Sequence, residues 1–164
     1  SRYRGVKGRL QPGPGQGGSL VIDDTYNANP DSMRAAIDVL AALPGRRVFV
    51  MGDMGEVGEA AGQYHDEIGG YAKSRGIDRL LALGELAVAA ARRFDGGGSH
   101  FLELDDLLAA LRRELGPDTT VLVKGSRFMR MERVVAAISA PVAENTDRAL
   151  ADDPRPGERK ANAA

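Results

Sequence analysis

The chain has no cysteine, which excludes disulfides, thiol nucleophiles and thiolate metal sites and fits a reducing compartment. His65 and His100 are its only histidines, so no histidine cluster is available to ligate a metal. No apolar run approaches the ~20 residues that span a bilayer. The opening S-R-Y-R-G-V-K-G-R-L carries charge without the apolar stretch of a signal peptide. An excess of charge of either sign is also missing: the formal net charge is -1, so no global field recommends nucleic acid or an anionic membrane as partner. Finally, no G-x-x-x-x-G-K-[ST] loop occurs in the sequence, which removes the usual P-loop grip on ATP. The expectation is a soluble cytoplasmic protein with no nucleic-acid partner and no membrane insertion. Its 164 residues suit one domain, since domains typically run ~100 to 150 residues.

What is present is alternation. Apolar runs at Ser19–Asp23, Arg47–Met51, Arg79–Leu83, His100–Glu103 and Thr120–Lys124 read as strands, separated by segments of helical periodicity. Met33, Ala36, Ile37 and Leu40 share one helix face, stopped by Pro44-Gly45. Tyr64, Ile68, Tyr71 and Ala72 repeat the spacing before Gly76. A shorter helix covers Glu85–Phe94, Asp105 reads as the cap of the next, and Phe128, Met131, Val134, Val135 and Ile138 form a last stripe. These stripes read as core. Strand and helix in alternation give an α/β fold, a Rossmann-like, mostly parallel sheet with helices on both faces. Residues 1–18 read as an initial extended segment and a Gly/Pro linker, Q-P-G-P-G-Q-G-G. Residues 19–140 form the domain, and 141–164, charged and poor in large apolar residues, read as a disordered tail.

Chemistry concentrates at strand ends. V-I-D-D-T-Y-N-A-N-P-D-S-M, residues 21–33, sets an apolar strand against a polar loop and a capped helix, with Asn29, Pro30 and Ser32 at the N-cap, first and third positions. Asp24, Tyr26, Asn27 and Asn29 are candidate ligand contacts, because loops at the carboxyl ends of parallel strands face the crevice. The competing account of Asn29 is that it serves only the cap. G-D-M-G-E-V-G, residues 52–58, has G-x-x-G-x-x-G spacing instead of the dinucleotide fingerprint G-x-G-x-x-G. It reads either as a phosphate-approaching loop or as a tight turn requiring positive φ. Lys124, Ser126 and Arg127 place a cation, a hydroxyl and a guanidinium after a buried strand, suited to a phosphate or carboxylate or to plain solvation. His65, one position off its apolar stripe, reads as structural.

Taken together, G-R-L at 8–10, D-D-T-Y-N-A-N-P-D-S-M at 23–33, G-D-M-G-E-V-G at 52–58 followed by His65, G-I-D at 76–78 and L-V-K-G-S-R-F-M-R-M-E at 122–132 resemble one family. It is the C-terminal domain of MurF, the UDP-N-acetylmuramoyl-tripeptide:D-alanyl-D-alanine ligases of peptidoglycan synthesis, within the Mur ligases. The resemblance implies an ATP-dependent amide ligase of three domains. The N-terminal domain holds the uridine nucleotide and the central one holds ATP and most of the magnesium. The C-terminal one closes over the site and admits D-alanyl-D-alanine. A carboxylate is phosphorylated to an acyl phosphate, which the dipeptide amine attacks. By the same resemblance, Arg9, Asp24, Tyr26, Asn27 and Asn29 face ATP, while Lys124, Ser126 and Arg127 lie near the incoming dipeptide. No residue of this chain is assigned as a metal ligand or as certainly catalytic.

On this reading the chain is a ligase domain that cannot react alone, its partners being UDP-N-acetylmuramoyl-tripeptide, D-alanyl-D-alanine and the two upstream domains. Two alternatives stand beside it. One is a stand-alone Rossmann-type module that binds a nucleotide or sugar phosphate without catalysis, and the other is an interaction module whose charged tail docks another cell-wall enzyme.

Overall fold

The computed structural model describes residues 6–141, so the expected tail falls, beyond Pro141, outside the described residues. Six strands form one sheet: β1 Gln11–Pro14, β2 Leu20–Asp24, β3 Arg46–Gly52, β4 Arg79–Leu83, β5 Gly98–Phe101 and β6 Thr119–Lys124. Five α-helices connect them: α1 Pro30–Ala41, α2 Ala61–Ser74, α3 Val88–Phe94, α4 Leu104–Arg112 and α5 Glu132–Ile138. The sheet order is β1-β2-β6-β3-β4-β5. All neighbours are parallel except β1, which runs antiparallel to β2.

The period-2 alternation of the strands sorts the core into two layers. Ile22, Leu122, Phe49, Met51 and Leu80 pack against α1, α2 and α3. Val21, Val121, Val123, Val48, Val50 and Leu81 pack on the other face against α4 and α5. Helices therefore cover both faces, as the alternation of elements predicts, and the central strands are buried on both sides, which is why they read as continuous apolar runs.

Several local expectations need correction. Gln11–Pro14, read as part of an irregular linker, is edge strand β1. Proline lacks a ladder donor and is tolerated on an edge; the Pro14 carbonyl accepts from Ala140 N–H at 3.0 Å, so the last segment covers that edge. The fourth expected strand lies at Gly98–Phe101, earlier than His100–Glu103, and the third helix begins only at Val88. Asp105 is not the cap of α4: Glu103 takes that position without a side-chain bond, and Asp105 sits in the first turn. Phe128 is not core. It is 64% exposed, because a 3-10 turn, Arg127–Met129, precedes α5 and breaks the helical spacing assumed from Phe128 onward.

Candidate functional site

Strand β6 inserts between β2 and β3, and the helices that follow β2 and β6 lie on opposite faces. A crevice forms outside the carboxyl ends of strands at such a point. The register places Asp24 directly opposite Lys124, and the two side chains meet: Lys124 Nζ donates to Asp24 Oδ2 at 2.9 Å and to the Asn27 carbonyl at 2.9 Å. Both residues are buried. Asp24 Oδ1 also accepts from Leu10 N–H. Burial pushes the Asp24 carboxyl above its ordinary 3.8, against the hydrogen bond and charge of Lys124 and the Leu10 donor, which pull it down.

This pair anchors the segment that carries Arg9. Tyr26 N–H donates to the Gly8 carbonyl at 2.8 Å, and Gly8 takes a left-handed φ of 79° with little room for a side chain, since a Cβ there would come 3.0 Å from Tyr26 N. Held between Gly8 and Leu10, the Arg9 guanidinium lies 4.3 Å from the centre of the Tyr26 ring, and that of Arg127 lies 5.2 Å from the same centre. Cation–π contact of this kind orients both cations. Among the described residues neither makes an ion pair, so both guanidiniums keep donors for an anion.

Beside them opens a cleft of about 790 Å³. Asn27, Asn29 and Arg34 line one side, Gly55, Glu56 and Tyr64 another, and Ser126, Arg127 and Phe128 the third. The residues expected to face two different ligands thus converge in one region, though unequally. Arg127 borders the cleft directly, while Tyr26 and Arg9 do not line it and are joined to it through the contact of the Tyr26 ring with Arg127. Lys124 is turned beneath the loop onto Asp24. Ser126 is buried and spends its hydroxyl on the Asp53 carbonyl at 2.7 Å. Asn27 Oδ1 accepts from Ala28 N–H. Asn29 completes a reciprocal capping box with Ser32, accepting from Ser32 N–H at 2.8 Å while Ser32 Oγ accepts from Asn29 N–H at 3.0 Å; its oxygen is committed to the cap.

Two buried side chains support the loops around the cleft, and the sequence gives a role to only one of them, His65. The buried Asp53 carboxylate accepts from Leu86 N–H and from Ala87 N–H at 2.7 Å, so one residue ties the loops after β3, β4 and β6 together. The signal was an acid between glycines directly after a buried strand. His65 is fully buried: Nε2 accepts from Met54 N–H at 2.9 Å and Nδ1 donates to the Ala61 carbonyl at 2.7 Å. It is structural, as expected, and fixes the loop that forms the Gly55 side of the cleft. In that loop Gly52 and Gly55 lack positive φ, while Gly58 and the non-glycine Glu56 have it, so among its glycines the tight-turn account holds for Gly58 alone.

The fold and this cleft define an α/β domain of the doubly wound type, with polar and charged side chains gathered at the carboxyl ends of its strands. The family model described as Mur ligase, glutamate ligase domain matches residues 8–127, and the chain belongs to that family. It is 42% identical over 140 residues to the UDP-N-acetylmuramoyl-tripeptide--D-alanyl-D-alanine ligase of Escherichia coli (strain K12), covering 84% of this chain and 31% of that protein. Against the ligase of the same name from Bacillus subtilis (strain 168) it is 36% identical over 125 residues, covering 72% and 27%. A crystal structure of MurF from Acinetobacter baumannii superposes with TM-score 0.75 at 37% identity, covering 82% of this chain and 30% of that one. MurF ligase from Thermotoga maritima in complex with ADP gives 0.72 at 26% identity, covering 83% and 31%. The chain spans about three-tenths of the length of these relatives.

Proposed function

We propose that this chain serves as the C-terminal domain of an ATP-dependent ligase that adds D-alanyl-D-alanine to UDP-N-acetylmuramoyl-tripeptide in the cytoplasm, in the synthesis of peptidoglycan. The observation that carries the reading is the pair of guanidiniums, Arg9 and Arg127, gathered on the Tyr26 ring, with Arg127 lining the cleft and neither in an ion pair among the described residues. Relatives carrying this domain bear the ligase name, and one structural neighbour holds ADP.

When bound, ATP supplies the phosphoryl group that turns the tripeptide carboxylate into an acyl donor. The residues of this chain fit an anionic partner of that kind. Arg9, steered by Tyr26, offsets phosphate charge as it builds. Arg127 holds the carboxylate of the incoming dipeptide, for which a planar guanidinium offers two parallel donors. Asp24 and Lys124 keep the 8–10 segment and the 24–29 loop in register with each other, while Ser126 and Asp53 fix the turn that presents Arg127. No cluster of three His, Cys, Asp or Glu able to hold a metal occurs among the described residues. Magnesium is placed, in this reading, on the central domain together with the P-loop. No helix of the described residues is long and apolar enough to cross a membrane.

The test is reconstitution. The full-length enzyme carrying this domain should release ADP only when both the uridine tripeptide and D-alanyl-D-alanine are present, and the 164-residue chain by itself should release none. Binding of a nucleotide or sugar phosphate by the chain alone, with no dipeptide dependence in the full-length protein, would favour the stand-alone binding module instead.

A further inference from the structure

Phe128 is the most exposed aromatic of the described chain at 64%, yet it borders a cleft whose other walls carry Asn27, Arg34 and Glu56. The chain around it separates two directions. Arg130 takes a left-handed φ of 52° at the end of the 3-10 turn, a conformation costly for a non-glycine residue and concentrated at functional sites. Beyond it Met131 plunges into the core against Gly52 and Gly125, while Phe128 stays over the cleft. Gly55 lies beneath the ring: a Cβ there would approach Phe128 Cε1 to 3.0 Å and Cδ1 to 3.3 Å. Gly55 has no positive φ, so the ring and not the backbone limits that position.

An aromatic ring left exposed on the wall of a cleft offers apolar area and a fixed shape against which a ligand can pack. Arg127 is the neighbour of Phe128 in the chain. Both residues line the same cleft, so a ligand whose carboxylate meets Arg127 shares that space with the Phe128 ring.

We propose that Phe128, seated on Gly55, sets the size of the acceptor side chain that the cleft admits: a methyl packs against the ring, and a longer side chain collides with it. This rests on the ligase reading above and names the residue that makes the acceptor site selective. Discrimination by a single apolar wall is worth about 10- to 200-fold per methylene.

The experiment compares kcat/KM for D-alanyl-D-alanine and D-alanyl-D-leucine in the full-length enzyme, for wild type, Phe128→Ala, Phe128→Leu and Gly55→Ala, with KM for ATP and for the uridine tripeptide measured alongside. Phe128→Ala should lower the preference for D-alanyl-D-alanine about tenfold or more, with Phe128→Leu between it and wild type. Gly55→Ala pushes the ring into the cleft and should raise the preference. The two nucleotide parameters should stay within about twofold, which a general loss of structure would not allow. Preference ratios unchanged in both Phe128→Ala and Gly55→Ala, or shifted in the same direction, overturn the proposal while leaving the ligase reading standing. A wild-type enzyme with no dipeptide-dependent ADP release overturns both.

Discussion

Replacing Lys124 by alanine strips a buried carboxylate of its cation. Asp24 and Lys124 have side chains only 10% and 5% exposed, and without the ammonium Asp24 keeps one donor, the Leu10 N–H at 3.2 Å, while the Asn27 carbonyl loses the lysine. Breaking a buried pair from one side costs roughly 3–5 kcal/mol, because the surviving charge stays desolvated. For a domain of this size that lowers Tm by roughly 6–20 °C. The loss depends on pH. Burial already holds the Asp24 carboxyl above 3.8 with Lys124 opposing it, so removing Lys124 raises it further. For an acid with a raised folded-state value the ionised form is the costly one; stability falls as pH rises through that value and returns as pH drops. Urea unfolding of the whole chain by circular dichroism, at pH 8 and pH 5, should show a deficit for Lys124→Ala that is smaller at pH 5. The double variant Asp24→Asn/Lys124→Met should lose less than the separate losses of Asp24→Asn and Lys124→Met added together. A deficit under about 1 kcal/mol at pH 8, well short of the expected range, or one that grows on acidification, refutes the assignment of a coupled buried pair.

Asn29→Ala should cost about 1 kcal/mol of stability and, in the full-length enzyme, leave KM for ATP unchanged, since the Asn29 oxygen is spent on Ser32; a selective rise in that KM would restore its expected ligand role. His65→Ala should destabilise the chain by about 2 kcal/mol or more, through the orphaned Met54 N–H and the void left behind, as read by denaturant unfolding; an unchanged midpoint would contradict it. Asp38 bonds the Tyr71 hydroxyl and the Arg75 guanidinium, and the tyrosine bond first, then the arginine, holds its carboxyl below 3.8. Its stabilisation is present above the unfolded value and lost as pH falls through the lower folded one. Asp38→Asn should therefore be less stable than wild type at neutral pH, with the gap closing in acid.

The beginning of α1 was legible residue by residue, because Asn, Pro and Ser at N-cap, first and third positions are a local code that needs no tertiary knowledge. The buried strands were legible as apolar runs, but not their order. That β6 lies between β2 and β3 is a long-range fact, and it makes partners of Asp24 and Lys124, 100 residues apart, to which the family resemblance gives different ligands. Edge strand β1 is not legible in the sequence, because its two prolines and glycine argue against a strand everywhere except at an edge. Phe128 reads as core only while the apolar spacing is carried one turn too far, and the left-handed Arg130 shows where the helix cannot begin. The cluster of polar strand-end residues was visible in advance. Which of them hold structure and which border the cleft depends on hydrogen bonds that no spacing encodes.

Arg127, outside any ion pair among the described residues, is the residue we propose receives the acceptor. Steady-state kinetics of the full-length enzyme with Arg127→Ala, varying D-alanyl-D-alanine, alongside a titration of the uridine tripeptide, decide whether it does. A fall of about tenfold or more in kcat/KM for the dipeptide is expected, as for a lost charge-assisted hydrogen bond, with a comparable loss in Arg127→Lys and uridine-tripeptide affinity unchanged. Dipeptide kinetics equal to wild type in both variants would contradict it.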